Sequence, residues 1–164
     1  MATLSITPTS QISSDNDAVT CQISIAAPRE RVFEALTDPK QAIQWWGQND
    51  SYHLSDFKLD ARIGGKWSAS GSSQKMGTIS IEGEILELDP PRRLSYTWLS
   101  NWLPKNTRVV WELETQNSGT LVKLTHTGFA GNAQHARAHS EGWTPVLSWL
   151  QAYVEKGETV VSRK

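Results

Sequence analysis

Apolar and polar residues alternate along most of the chain after residue 17, which predicts a fold rich in β-strands. From Ala18 to Ile25 every second residue is apolar, the period-two pattern of a half-buried strand. Similar patterns recur further on, separated by turn-forming pairs such as Gly64-Gly65 and Pro90-Pro91. The later strands are predicted at residues 51–59, 65–71, 77–88, 92–99, 106–115 and 120–127. Together these segments predict an antiparallel meander, with a bulge near Gly83 or Ile85 where the apolar positions change parity.

Two short helices are predicted between the first two of these strands. Pro28 suits the first turn of a helix, because its missing N–H would have no partner there. Apolar residues from Val32 to Leu36 then form the buried stripe. Asp38 is expected to cap a second helix that begins at Pro39, with Gln41 completing a capping box.

The C-terminal part of the chain changes to a helical period. Apolar residues from Trp143 to Val154 recur at three- and four-residue spacing, which predicts a long helix with one broad apolar face. Pro145 lies inside this segment, removes one N–H and crowds the carbonyl of Glu141. We therefore expect a kink or a break near Gly142.

The domain organisation is predicted from length and local composition. A chain of 164 residues suffices for one hydrophobic core, and we assign a single domain to residues 18–158. Residues 1–17 are rich in Ser, Thr, Pro, Asn and Asp without periodicity, which predicts a flexible N-terminal tail. Residues 159–164 are predicted to form a C-terminal tail.

The last three strands are predicted to turn their aromatic residues toward the long helix. Tyr96, Trp98, Trp111 and His126 share this face by alternation, and charged or hydroxyl side chains alternate to the other face. Eight tryptophans in so short a chain favour a wide, apolar cavity between sheet and helix, with a tightly packed core as the alternative. The candidate ligand-binding residues are Trp67, Tyr96, Trp98, Trp111, Leu124, His126, Phe129, Trp143 and Leu147.

His126 is the polar residue on this apolar face. It is either a structural histidine bound to neighbouring groups or a residue that contacts a ligand or transfers a proton. His135 and His139 would share a helix face, but a third metal ligand is not evident. We therefore predict no metal and no cofactor.

Charge balance, apolar stretches and cysteine content indicate which partners and which cellular compartment to expect. Lys and Arg number 16 against 17 Asp and Glu, so the balance of charge does not favour nucleic acid. No apolar stretch approaches the roughly 20 residues that a membrane-spanning helix needs, so no membrane partner is expected. The single cysteine, Cys21, favours a reducing compartment, and we predict a cytoplasmic protein.

Several segments together resemble the START-like (SRPBCC), or helix-grip, superfamily, and within it the proteins similar to the activator of heat-shock protein 90 ATPase. They are Ile25–Thr37, Trp45–Gly47, Asp60–Trp67, Pro90–Trp98, Leu124–Phe129 and Gly142–Trp143, followed by Leu147 and Leu150. The resemblance implies an α+β fold, in which a curved antiparallel sheet of about seven strands wraps around a long C-terminal helix, with two short helices after the first strand. It also implies an internal cavity.

Three functions are compatible with this resemblance. Family members bind lipids, hormones, polyketides or other hydrophobic ligands, which favours binding of a small hydrophobic molecule in the Trp-lined cavity. Some members catalyse cyclisation, so the first alternative is an enzyme of the polyketide cyclase or hydrolase type with His126 as general base. The eukaryotic namesake is a co-chaperone, so the second alternative is a chaperone-interacting module, and a weak chaperone or homodimer contact is left open.

Overall fold

The computed structural model describes residues 7–49 and 51–163. In these residues a single sheet of nine antiparallel strands is flanked by three α-helices. The strands are β1 Thr9–Ile12, β2 Ala18–Ile25, β3 Gly47–Gln48, β4 Tyr52–Leu59, β5 Lys66–Ser73, β6 Gly77–Asp89, β7 Arg93–Ser100, β8 Thr107–Gln116 and β9 Gly119–Thr127. Their order across the sheet is β1-β2-β9-β8-β7-β6-β5-β4-β3, so β3 through β9 form an antiparallel meander, as predicted, and β2 pairs with β9.

The two predicted short helices are α1, Arg29–Thr37, and α2, Pro39–Trp45. Asp38 caps α2, because its side chain accepts a hydrogen bond from the Lys40 N–H at 3.0 Å. The predicted capping box does not form: the Gln41 amide binds the Asp38 side chain, and the Asp38 N–H donates to the Glu34 carbonyl. The helices abut, so this N–H already closes the last turn of α1.

The long helix α3 spans Ala133–Lys156. Asn132 caps its first turn by accepting from the His135 N–H at 3.1 Å, and Gly157 ends it with a φ of 72°. The helix continues through Pro145, so the predicted break at Gly142 was wrong, and the alternative of a kink there stays a prediction. Glu141, whose carbonyl loses its helical partner, is exposed, so water can satisfy it at low cost.

Both predicted tails contain ordered structure in the described residues. Residues 9–12 form β1, which pairs with β2 so that Thr9 lies opposite Gln22. The side chains of β1 are all exposed, so the hydrophobic pattern of the sequence does not indicate a strand here. The strand is held by backbone pairing with β2. At the other end, Val160–Ser162 form a 3₁₀ turn in which Val160 is buried. The remainder of the predicted tails, residues 1–6 and 164, lies outside the described residues.

Arg163 anchors the C-terminal turn to the helices. Its Nη1 donates to the carbonyls of Trp45 and Gly47 at 2.8 and 2.7 Å, and its Nη2 donates to the Trp149 carbonyl at 3.0 Å. The Arg163 guanidinium also stacks over the Trp149 ring, with its Cζ atom 5.8 Å from the ring centroid. The C-terminus thus fixes the segment that carries Trp46.

Register along the sheet agrees with the predicted alternation and with the predicted bulge. Pairing between β6 and β7 shifts between Ile85 and Glu87, which places the irregularity close to Ile85. One residue of the outer face differs from the prediction: Ser95 is fully buried rather than solvated. Arg108 donates to the Ser95 hydroxyl at 3.0 Å and to Glu87 at 2.8 Å, so an ion-pair network covers it.

Helices cover the two sides of the sheet's concave face unequally. Helix α3 packs mainly against β2 and β1, and α2 packs against β4. Between them, large aromatic side chains cover the inner face of the central strands. Trp46, from the segment after α2, contacts Trp98 of β7 and Trp143 of α3, with ring centroids 6.5 and 5.8 Å apart. The candidate site lies in this aromatic interior.

Candidate functional site

All nine predicted ligand-binding residues lie together in the interior. Each is at most 3 % exposed. Trp98 and Trp143 have ring centroids 5.1 Å apart, and the Trp67 and Tyr96 centroids are 4.3 Å apart. Leu124 and Leu147 are completely buried in the same core. The sequence left open either an apolar cavity or a tightly packed core, and this part of the interior is tightly packed.

His126 is held by hydrogen bonds at both ring nitrogens. Strand β9 places it between Val19 of β2 and Val109 of β8. Its Nδ1 accepts from the Trp143 indole N–H at 3.0 Å, so Nε2 carries the proton of the neutral ring. Nε2 therefore donates to the Thr107 hydroxyl at 2.6 Å, and that hydroxyl donates to the Trp98 carbonyl at 2.8 Å.

Burial keeps His126 uncharged. It lowers the pKa of His126 well below the ordinary value of 6.5, and the nearby His139 lowers it further. The Phe129 ring, 4.6 Å away, covers another side of the imidazole. A neutral imidazole with both nitrogens engaged and no exposed surface has the contacts of a structural histidine, the first of the two roles considered from sequence.

Acidification should destabilise the fold through these histidines. The pKa values of His126 and His139 are both lowered by burial. Between the folded pKa and 6.5 the unfolded chain therefore binds more protons, and the free energy of unfolding falls as the pH falls. We expect a loss of up to about 1.4 kcal/mol per pH unit for each histidine. Urea unfolding at pH 7.0, 6.0 and 5.5 measures this slope. The variant His126→Gln should give a shallower slope, and an unchanged slope would contradict the assignment.

Three of the four predicted indoles donate their N–H within the protein rather than to a ligand. Trp67 donates to the Thr97 carbonyl at 2.8 Å, Trp111 to the Tyr96 hydroxyl at 2.9 Å, and Trp143 to His126. Burial strongly raises the pKa of Tyr96, so its phenol stays protonated. These partners fix the rings and leave only Trp98 of the four available to a ligand.

Three polar side-chain atoms are buried without a hydrogen-bond partner among the described residues: Trp98 Nε1, Ser100 Oγ and Trp46 Nε1. Trp98 and Ser100 are each 3 % exposed and lie two residues apart on the inner face of β7. Trp46 is the weaker case, because the Tyr52 phenol lies near its N–H. Burial raises the pKa of Tyr52 to about 12, and the Trp46 N–H lowers it slightly. Each unpaired buried donor costs about 1–3 kcal/mol.

Sequence reasoning missed several of these residues. Ser100 continues the alternation of Tyr96 and Trp98, so the pattern could have found it. Trp46 lies in an irregular segment, where no period indicates its orientation. His139 was considered only as a metal ligand, whereas its Nε2 accepts from the Trp102 indole at 3.2 Å and its Nδ1 donates to the His135 carbonyl at 2.8 Å.

Neither a metal centre nor a spanning helix is found in the part of the chain that the structure describes. No three His, Cys, Asp or Glu side chains converge there in a way that could hold a metal ion. None of the described helices combines the length and apolar character needed to cross a membrane.

Two open grooves of about 600 and 640 Å³ lie over β5, β6 and β7. Their linings include hydroxyl and charged side chains of the outer face, among them Ser68, Ser80, Glu82 and Lys66. Trp67 is the one predicted site residue in these linings. The linings are mixed, with apolar residues such as Ile81 and Leu99 beside the polar ones, and the grooves are open, so they differ from the enclosed apolar cavity that the sequence predicts.

Several solved structures have the same fold as this chain. A protein from Rhodobacter sphaeroides has a TM-score of 0.77 at 17% identity, with 90% of this chain and 97% of that one covered. CV1439 from Chromobacterium violaceum has a TM-score of 0.72 at 26% identity, with 85% and 97% covered. DynU16, a putative protein in the dynemicin biosynthetic locus, has a TM-score of 0.73 at 22% identity, with 90% of this chain and 51% of that one covered.

A search of the curated proteins gives no match. The family model described as Activator of Hsp90 ATPase homolog 1-like protein matches residues 26–155, well over half of the chain. That range begins before α1 and ends in α3, so it includes the whole aromatic interior. The nine-stranded sheet and the long terminal helix have the helix-grip architecture. The chain therefore belongs to the Activator of Hsp90 ATPase homolog 1-like family of the START-like superfamily.

Proposed function

We propose that the protein binds a small, uncharged hydrophobic molecule between the sheet and the C-terminal helix, beside Trp98 and Ser100. The observation that carries this proposal is the pair of unpaired polar atoms on β7, Trp98 Nε1 and Ser100 Oγ. Native interiors leave few such atoms without a partner. A ligand oxygen that accepts from them would recover the free energy lost by their burial.

The location differs from the cavity around His126 that the sequence suggests. The rings around His126 are in mutual contact, and both of its nitrogens are already bound. A general base needs a free lone pair within reach of the substrate proton. The contacts of His126 therefore favour ligand binding over a cyclase or hydrolase activity.

The description of one solved neighbour is compatible with binding of a small molecule. DynU16 is described as a putative protein of the dynemicin biosynthetic locus. A chaperone-interacting role takes second place, because it rests on the description of the family alone. We also propose a cytoplasmic location, since the single thiol, Cys21, is buried and unpaired with another cysteine.

Titration with Nile red, an uncharged hydrophobic dye with a carbonyl oxygen, tests this proposal. We expect saturable binding of one dye per chain with enhanced dye fluorescence. Trp98→Phe keeps a ring but removes the N–H, and should weaken binding about tenfold, equivalent to about 1.4 kcal/mol for one hydrogen bond.

The matched control is Trp149→Phe. The Trp149 ring stacks on Tyr52, with centroids 6.2 Å apart, and lies outside the predicted contact with the dye. This variant should bind Nile red like the parent chain. Absence of saturable binding to the parent chain, or equal loss in both variants, would contradict the proposal.

A further inference from the structure

Trp102 joins the turn between β7 and β8 to the long helix α3. Its indole Nε1 donates to His139 Nε2 at 3.2 Å, and the two rings stack with planes inclined by 24° and centroids 6.2 Å apart. The Trp102 ring also meets the edge of Trp98, with centroids 6.4 Å apart. The half-buried Trp102 side chain therefore covers one end of the aromatic interior.

The turn itself, residues 101–106, has few contacts that hold it in place. Asn101 anchors its start by accepting a hydrogen bond from the Ser80 N–H at 3.1 Å. Of the five residues after Asn101, Trp102 alone makes a side-chain hydrogen bond to the rest of the described chain. If the bond between Trp102 and His139 breaks, the middle of the turn can move while β7 and β8 stay paired.

The bond between Trp102 and His139 requires an uncharged imidazole. His139 Nδ1 donates to the His135 carbonyl at 2.8 Å, so in the neutral ring Nε2 has the lone pair that accepts from Trp102. A proton taken up from solvent would form a second N–H at Nε2, directly opposite the indole N–H. An indole N–H can only donate, so two donors would then face each other and the contact must open.

The groups around His139 do not offset a positive charge. The titratable groups that face it in the described chain are two histidines, His126 of β9, with ring centroids 5.0 Å apart, and His135 of its own helix. Phe129 and Trp102, which cover the ring from the two connecting segments, are uncharged. His126 is fully buried with both nitrogens bonded, so His139 is the first of the pair to accept a proton. A charged His139 ring needs water, which it gains when Trp102 moves away.

We propose that Trp102 and His139 form a pH-sensitive latch, in which protonation of His139 at Nε2 releases the turn of residues 101–106 from α3. Burial lowers the pKa of His139 below its ordinary value of 6.5. The latch is therefore closed at neutral pH and opens as the pH falls through that lowered value. Opening uncovers the edge of Trp98. The latch operates without a ligand, so this inference goes beyond the proposed function.

Nuclear magnetic resonance of the ligand-free protein between pH 7.5 and 5.0 tests the latch. The Trp102 indole signal, assigned by its loss in Trp102→Phe, should move with one midpoint below pH 6.5 as the N–H loses its acceptor. Backbone order parameters of residues 102–106 should fall from about 0.85 to below about 0.6 over the same range. The Trp143 indole signal should stay in place, because its partner His126 remains neutral.

Two variants identify the group that takes up the proton. His139→Gln keeps an oxygen that can accept from Trp102 but does not titrate, so the Trp102 signal should stay in place down to pH 5.0. Trp102→Phe removes the donor that favours the neutral ring, and should raise the pKa of His139, read from its imidazole signals, by about one. His135→Gln is the matched control. His135 binds His139 through its backbone carbonyl, so this variant should keep the transition.

A Trp102 signal that does not move down to pH 5.0 in the parent chain, or a transition that persists in His139→Gln, overturns the latch. Loss of the Trp143 signal at the same midpoint also overturns it, because that result indicates general unfolding. If His139→Gln fails to fold, the pKa of His139 in Trp102→Phe decides, and an unchanged value overturns the latch. These measurements use no ligand, so their failure is distinct from a failure of Nile red binding.

Discussion

Replacing Trp143 by alanine should lower the free energy of unfolding by about 3–5 kcal/mol. The ring is 3 % exposed and contacts Trp98, Trp111 and Trp46, with centroids 5.1 to 5.8 Å away. Truncation leaves a void at the junction of α3 with the sheet. It also removes the donor to His126 Nδ1, which remains as a buried acceptor without a partner. Urea unfolding followed by circular dichroism measures the change.

Two further variants separate the causes of this loss. Trp143→Phe keeps part of the ring but removes the N–H, so it should cost about 1–3 kcal/mol. Trp149→Ala removes an indole that is only half-buried and should cost less than Trp143→Ala. A loss below 1 kcal/mol for Trp143→Ala would show that this ring does not organise the interior.

Replacing Gly83 by alanine should destabilise the fold by about 3 kcal/mol. A Cβ at this position would lie 1.9 Å from the Thr97 carbonyl oxygen and 2.5 Å from Trp67 Nε1. These two atoms are joined by a hydrogen bond of 2.8 Å that crosses Gly83. The substitution must displace either the β7 backbone or the Trp67 ring, and Trp67 is part of the aromatic interior.

Gly142→Ala is the matched control. A Cβ at Gly142 meets nothing within 4 Å, and the position is exposed in the middle of α3. Alanine favours a helix over glycine by about 1 kcal/mol, so this variant should be neutral or more stable. A loss of similar size in both variants would contradict the steric argument at Gly83.

The strands could be predicted from the sequence because one face of the sheet is buried and the other is hydrated. Leu94, Tyr96 and Trp98 alternate with polar residues, and the structure buries all three. Alternation of apolar and polar residues indicates a strand with one buried face, and strands β2 and β4 to β9 show this alternation clearly enough to be predicted. The side chains of strand β1 are all exposed, so the apolar and polar pattern of the sequence does not predict its pairing with β2.

The contacts that close the interior could not be predicted in the same way. Arg163 binds backbone carbonyls of Trp45, Gly47 and Trp149, and carbonyls are present at every residue. The partner of each indole depends on distances of 2.8 to 3.0 Å between strands and helix, which periodicity does not encode. The sequence therefore identified the residues of the interior but not which donors remain unpaired.

Nuclear magnetic resonance of the indole N–H groups tests the central claim most directly. In a ¹H–¹⁵N spectrum of the labelled chain, saturating Nile red should shift the Trp98 indole signal most, as its N–H gains an acceptor. The signal is assigned by its loss in Trp98→Phe. The signals of Trp67, Trp111 and Trp143 should move little, because their hydrogen bonds lie within the protein. A Trp98 signal that stays in place at saturation, or a larger shift at Trp143 beside His126, would contradict the account.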